Sequence, residues 1–394
     1  PVGQPVTADD ERRFLTAIHH MVALGSARSL EWSMQRLQRF LDAARSRTVE
    51  AATSRLMPFA RDMAGPASVA ALLAWQGVAA GNLGRPVQAE TLFRQALDIY
   101  ATLEDADGEN TLSCQGNLAS VLSDLGREDE AEALYVRVLD HQRIAFGPDH
   151  PLTAVTLNNL ALVLQKQGRL REAADMMTEA VDITMVNAGP THPSTAIGQS
   201  NLAGILNDLG DYDRAETLVR QAGATLAEKV GTDHPYSWLT GGVAAAIAMC
   251  RRDYATAKGL FLQVLTGLEA VYGPAHLHVA TVRGRVARCD FWLGDLASAR
   301  EGYREALNLY EGAAHPDLPA KAFLLAGLAA VDTAEGRLDA ATEGVSRARA
   351  ILEPTTPPAH PLWSSLDLIQ ARLERAQGDV DTARERLLRA RQRL

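Results

Sequence analysis

The chain holds 394 residues, 47% hydrophobic and 5% aromatic, ample for a buried core and without the composition of disorder. Its formal charge of −9 is uneven: residues 1–66 carry 9 basic and 7 acidic side chains, 67–276 carry 14 and 25, and 277–394 carry 16 and 16. An acidic middle repels phosphates, which excludes a general nucleic-acid binder, and the dominance of alanine and leucine points away from a β-rich fold.

Three cysteines, Cys114, Cys250 and Cys289, form no close pair. That usage is expected of a cytoplasmic protein rather than of a disulfide framework. No run approaches the roughly 18 apolar residues of a membrane span, and the opening residues 1–7 contain no apolar signal core.

Residues 1–66 predict three amphipathic helices, near 8–24, 28–47 and 49–64, with Pro58 kinking the third and Gly65-Pro66 closing it. The segment is expected either to cap the remainder of the chain or to occupy its groove in cis. Residues 67–394 repeat with a fixed period. Gly84, Gly126, Gly168, Gly210, Gly294, Gly336 and Gly378 fall on one 42-residue grid, with Arg252 in the place of glycine. Five residues after each turn stands alanine, from Ala89 to Ala383. Seven before stands Gly77, then alanine from Ala119 to Ala371, and twelve after stands only Ala or Val.

The glycine ends one helix and turns the chain into the next. Small residues on either side let the two antiparallel helices approach. Val121, Val163, Ile205 and Ile247 from the first helices, and Phe93, Tyr135, Phe261 and Tyr303 from the second, fill the space between. Each pair leaves one face uncovered, so stacking completes the core. The units run about 67–108, 109–150, 151–192, 193–234, 235–276, 277–318, 319–360 and 361–394.

This spacing resembles the tetratricopeptide repeat. The 42-residue length and the Gly-x-x-His-Pro loops at 147–151, 189–193 and 231–235, with a partial copy at 273–277, are similar to the kinesin-light-chain-type subclass. The resemblance implies an all-α, right-handed superhelical solenoid of about eight helix-turn-helix repeats behind an N-terminal helical segment. It also implies that the first helix of each pair lines the concave surface. Members of the family serve as cargo adaptors, as appendages of kinases or ATPases, and as peptide-sensing regulators. There are departures. His315-Pro316 comes three residues early, the run Pro354–Pro358 is expected to lengthen a loop, and Arg252 in a left-handed turn costs on the order of 1–2 kcal/mol, so a looser turn is expected there.

His150, His192, His234, His276 and His360 recur, but helices pack about 8–10 Å apart and zinc needs its ligands within about 2.0–2.3 Å of one point. No metal site is expected; the histidines read as loop or capping residues. His19-His20, beside Met21, reads as core or surface. No phosphate loop, His-Glu-x-x-His, Cys-x-x-Cys or nucleophile elbow appears, so neither catalysis nor a cofactor is expected.

Counting nine residues back from each turn gives Asn117, Asn159 and Asn201 in succession, joined by Asn158, Ser120, Gln165, Lys166 and Asn207. Amides both donate and accept, which suits the backbone of an extended peptide; asparagine as a merely tolerated polar residue is the alternative. Solvent-facing groove residues are expected to carry little packing. Further along, Gly204, Gly242, Val243, Ala246, Met249, Gly327 and Ala330 make a small, apolar floor. Arg285, Arg288, Phe291 and Trp292 then set guanidinium groups beside aromatics, a combination able to hold a carboxylate and an adjacent apolar side chain. Structural ion pairing is the alternative for these arginines.

The sequence thus implies a protein- or peptide-binding scaffold or adaptor, holding an extended, acidic and apolar partner segment. A peptide-sensing receptor, or the interaction arm of a larger kinase or ATPase regulator, stays open. Neither nucleic acid nor membrane is an expected partner, and the oligomeric state is open.

Overall fold

The computed structural model describes residues 7–24, 33, 36–37, 40, 45–103, 108–311, 318–356 and 361–392. Among them every regular element is helical. In chain order these are α1 (Ala8–Leu24), α2 (Ser46–Phe59), α3 (Pro66–Asn82), α4 (Pro86–Tyr100), α5 (Glu109–Asp124), α6 (Glu128–Ala145), α7 (Pro151–Lys166), α8 (Leu170–Ala188) and α9 (Pro193–Asp208). Next come α10 (Tyr212–Lys229), α11 (Pro235–Cys250), α12 (Tyr254–Tyr272), α13 (Leu277–Leu293), α14 (Leu296–Glu311), α15 (Leu318–Ala334), α16 (Leu338–Thr355), α17 (Pro361–Ala376) and α18 (Val380–Gln392). Most of the expected helix at 28–47 lies outside the described residues, as do His315-Pro316 and His360.

Two compact units divide the chain, Pro1–Val163 and Leu164–Leu394. In the first, α1 packs on α2, α2 on α3, α3 on α4, α4 on α5 and α5 on α6. In the second, consecutive helices pack from α9 to α18, and first helices also touch across pairs, α9 on α11, α13 on α15 and α15 on α17. Pro58 sits inside α2, and the chain passes through a π-helical turn, Ala60–Ala64, before Gly65. A turn of that kind absorbs the register change that the missing proline N–H imposes.

Small residues occupy the crossings. Ala89, Ala131, Ala173, Ala215, Ala257, Ala299 and Ala341 are fully buried, as are Ala119, Ala161, Ala203, Ala245 and Ala287 on the first helices. At Gly77 even a methyl group is excluded, because a Cβ there would lie 2.8 Å from the Phe93 ring. Between the helices the turn glycines take positive φ, from 73° at Gly84 to 94° at Gly378. In each turn the following N–H reaches back to the carbonyl five residues earlier, as in Arg127 to Leu122 and Asp211 to Leu206, both 2.9 Å. That bond is one half of the Schellman closure. Asp211, Asp253, Asp295 and Asp379 then cap the second helices by accepting from the N–H three residues on.

Arg252 departs from the expected loosening. Its φ is 64°, and Asp253 N–H still reaches the Ala248 carbonyl at 2.9 Å. The closing bonds and the buried alanines hold the turn in the left-handed form despite the side chain. Pro354 itself lies within α16, which runs to Thr355, while Pro357 and Pro358 of the expected loop lie outside the described residues.

The histidines are caps. The Nδ1 atoms of His150, His192, His234 and His276 accept from the N–H two residues on at 3.2, 3.2, 3.3 and 3.2 Å. In three of these loops a hydroxyl completes the clasp: Thr153, Thr195 and Ser237 donate to the carbonyls of Gly147, Gly189 and Gly231. A cap of this kind needs an unprotonated Nδ1.

Two outcomes are expected. Arg252→Gly should raise stability by about 0.5–1 kcal/mol in urea denaturation, because only the arginine incurs left-handed strain; an unchanged midpoint would show that no strain is held there. The second concerns pH. Burial, and then the neighbouring His278, hold His276 down to about 4, against about 6.5 for a free imidazole. The unfolded chain therefore binds more protons between those values, and stability falls as pH drops from about 6.5 toward 4. The melting temperature should be lower at pH 5 than at pH 7.5, and His276→Asn, which keeps an acceptor but does not titrate, should shrink that difference. Identical pH profiles for the two proteins would refute this.

Candidate binding face

Each unit presents part of the expected face. In the first, Asn117 is exposed on α5, while Asn158 and Asn159 are half-buried on α7. Asn158 Nδ2 donates to Asn159 Oδ1 at 3.0 Å. Asn159 also bonds the hydroxyl of Tyr135, which Ser120 shares, in a position where burial raises the phenol's pKa. Tyr135 is 1% exposed, so Asn159 satisfies a core hydroxyl. The expectation that it carries little packing does not hold: its amide is committed to the preceding repeat.

In the second unit Lys166 is exposed and Asn201 half-buried. Gln165 Nε2 donates to Asp208 Oδ2 at 2.6 Å. Asn207 is buried, with its Nδ2 3.4 Å from Asp208 Oδ1 and its Oδ1 without a partner. It is not presented to a ligand, because its position three residues before the turn points beneath the face. The small-residue floor divides as well. A Cβ at Gly204 or Gly242 would meet nothing within 4 Å, but one at Gly327 would lie 2.3 Å from the Tyr303 ring. Glycine at 327 makes way for that ring.

Arg285 and Arg288 share α13 with Trp292. The Arg285 guanidinium lies 5.8 Å from the Phe261 ring centre, and the Arg288 guanidinium 5.2 Å from that of Phe323. Arg288 Nε also points at Met249 Sδ, 3.1 Å away. Neither arginine has a carboxylate within ion-pair reach among the described residues. Asp290, on the same helix, pairs with Lys258 at 2.5 Å instead. Burial lowers the pKa of Arg285, the charge of Arg288 adds to that, and Asp208 opposes it. Trp292, 43% exposed, stacks on Tyr254 at 5.6 Å.

Arg288 and Trp292 border one pocket; Arg285 does not. Among the lining residues that sequence reasoning passed over are Phe323 and Arg372. The signal was available, because both stand on first helices, and Arg372 stands six residues before Gly378 as Arg288 stands six before Gly294.

Buried small residues at the crossings, left-handed turns and stacked helix pairs define a helical-repeat protein. Sequence profiles described as tetratricopeptide repeat match residues 68–143 and 115–185, and a second such profile matches 195–236. These stretches of the chain are tetratricopeptide repeats. It is similar to the Rap protein solved in complex with competence and sporulation factor, at 13% identity over 93% of this chain and 98% of that one, with a TM-score of 0.67. It is also similar to the apo form of RapI, at 12% identity over 92% and 97%, TM-score 0.55. A putative kinesin light chain of Podosopora anserina with nearly identical TPR-like repeats shares 23% identity over 53% of this chain and 98% of that one, TM-score 0.42. No curated protein matches in sequence.

The asparagines separate the two roles. Asn159→Ala should lower stability by about 1 kcal/mol by leaving the Tyr135 hydroxyl short of a partner, whereas Asn117→Ala should change it by less than about 0.5 kcal/mol. Paired urea melts decide, and equal effects would mean that Asn159 is no more structural than Asn117.

Proposed function

We propose that this protein is an interaction scaffold, which binds an extended segment of a partner protein on the faces of its first helices and catalyses nothing. The observation that carries the reading is the pair Arg285 and Arg288, held on aromatic rings beside an exposed tryptophan without a carboxylate partner. Such a pair suits a segment with an acidic residue next to a bulky apolar one. The amides of Asn117, Asn158 and Asn201 supply further bonds along the segment, and Lys166 a charge. Free thiols at Cys114, Cys250 and Cys289 suit a cytoplasmic setting. No helix among the described residues is long and apolar enough to cross a membrane.

A peptide-sensing receptor is the second reading. It is favoured by the likeness to Rap over nearly the whole chain, one Rap protein having been solved with a bound factor. In that case ligand binding should alter hydrogen exchange in α1 and α2; in a simple scaffold it should not.

Selection from a displayed random-peptide library tests the scaffold reading. Peptides pairing Asp or Glu with Trp, Phe or Leu should be enriched. Their affinity should fall as salt rises and drop at least tenfold in Arg285→Glu/Arg288→Glu. Failure to enrich any peptide, or equal binding by the double variant with an unchanged melting curve, would overturn it.

A further inference from the structure

Within the second unit, α11, α13, α15 and α17, with Tyr254 of α12, Tyr303 of α14 and Leu352 of α16, border a partly open pocket of about 240 Å³. It is larger than the roughly 150 Å³ apolar cavity known to accept benzene. Its walls are chiefly Tyr254, Phe291, Trp292, Phe323, Leu366 and Ile369. Two charged side chains reach it, Arg288 from α13 and Arg372 from α17. Each guanidinium lies over a ring, Arg288 on Phe323 at 5.2 Å and Arg372 on Trp292 at 4.7 Å. Among the described residues neither has an ion-pair partner, whereas Arg283, Arg300, Arg349 and Arg386 in the same unit are all paired.

The walls are helical, so their backbone donors and acceptors are consumed within the helices. Apart from the two arginines the lining is chiefly apolar, and the asparagines proposed to bond a peptide backbone lie outside it. Such a lining favours a ligand whose polarity is gathered in one anionic head, with an apolar remainder matching the aromatic walls. We infer that this pocket is a binding site for a small amphipathic carboxylate, an acyl or aryl acid whose apolar body fills the cavity and whose carboxylate is held by Arg288 and Arg372. A carboxylate meets guanidinium with charge-assisted hydrogen bonds, which the ring faces alone do not provide. The inference does not rest on the peptide reading; a failed peptide selection leaves it standing.

Cys250 provides a local readout. It lines the pocket and is exposed, while Cys114 and Cys289 are buried, with burial raising their thiol pKa values to about 12 and about 11. Alkylation by iodoacetamide therefore reports on Cys250. Octanoate, octanol and octylamine, alike in chain length and different in charge, are titrated by calorimetry and in the alkylation assay. We expect octanoate to bind once per chain and slow alkylation, octanol to bind at least tenfold more weakly, and octylamine not to bind. Arg288→Gln/Arg372→Gln should weaken octanoate at least tenfold with an unchanged melting curve. Should that variant not fold, Ile369→Trp, which fills the cavity without touching charge, should abolish binding. The inference fails if octanol equals octanoate, if the variants bind as wild type does, or if millimolar octanoate leaves Cys250 unprotected. Protection by an Asp-Trp peptide but not by octanoate would assign the pocket to a protein partner and likewise overturn it.

Discussion

Two helices run antiparallel at close range only where neither carries a bulky side chain at the crossing. In this chain the alanines seven before and five after each turn meet that condition and are buried, most of them completely, and at Gly77 the Phe93 ring claims even the space of a methyl group. Interiors this dense do not accept an added methylene without displacement. The crossing therefore sets the spacing of the pair, and the left-handed turn sets its direction. Once both are set, the residues at nine and six before the turn have one remaining orientation, toward the face that the second helices do not cover.

That face is not independent of the core. Residues nine before a turn rest on the residue nine after the preceding turn. Asn159 bonds the Tyr135 hydroxyl, Arg285 lies over Phe261, and Gly327 gives way to Tyr303. A polar hydroxyl calls for an amide, a bare ring accepts a cation, and a tyrosine pressed flat leaves room for nothing. The chemistry shown to a partner at these positions is thus partly dictated by the previous repeat's core aromatic.

The helix pairs were legible in the sequence because their constraints admit few residues. Positive φ calls for glycine, and a close crossing calls for alanine. The histidine caps were legible as capping or loop residues from the proline after each one. Their hydroxyl clasp was equally present as Ser or Thr six residues after each loop glycine, and Val279 marks the loop where it is lost. Other features resisted reading for physical reasons. Arg252 keeps the left-handed turn because closing bonds outweigh about 1–2 kcal/mol of strain. The period assigns a residue to a face but says nothing of depth, so Asn207 was misplaced and the structural duty of Asn159 went unseen. Arg372 and Phe323 were passed over because a pocket draws on several repeats at once, and attention to one repeat leaves out half of its lining.

Charge placement differs between the turns and the face of the first helices. Near the turns the cations are matched: Lys258 with Asp290, Arg300 with Asp332, and Arg386 with Glu374, each carboxylate four residues before a turn and nearly buried. On the face of the first helices, Arg285, Arg288 and Arg372 lie over ring faces, with the Met249 sulfur beside Arg288, and among the described residues none has an ion-pair partner. A cation–π contact contributes about 0.5–2 kcal/mol, while removing a charge from water costs several. Of the three, Arg285 is the one whose burial lowers its pKa, and its guanidinium is incompletely compensated. An arriving anion would relieve that deficit. The imbalance tolerated at this face in the free protein is the source from which the proposed binding would draw its free energy.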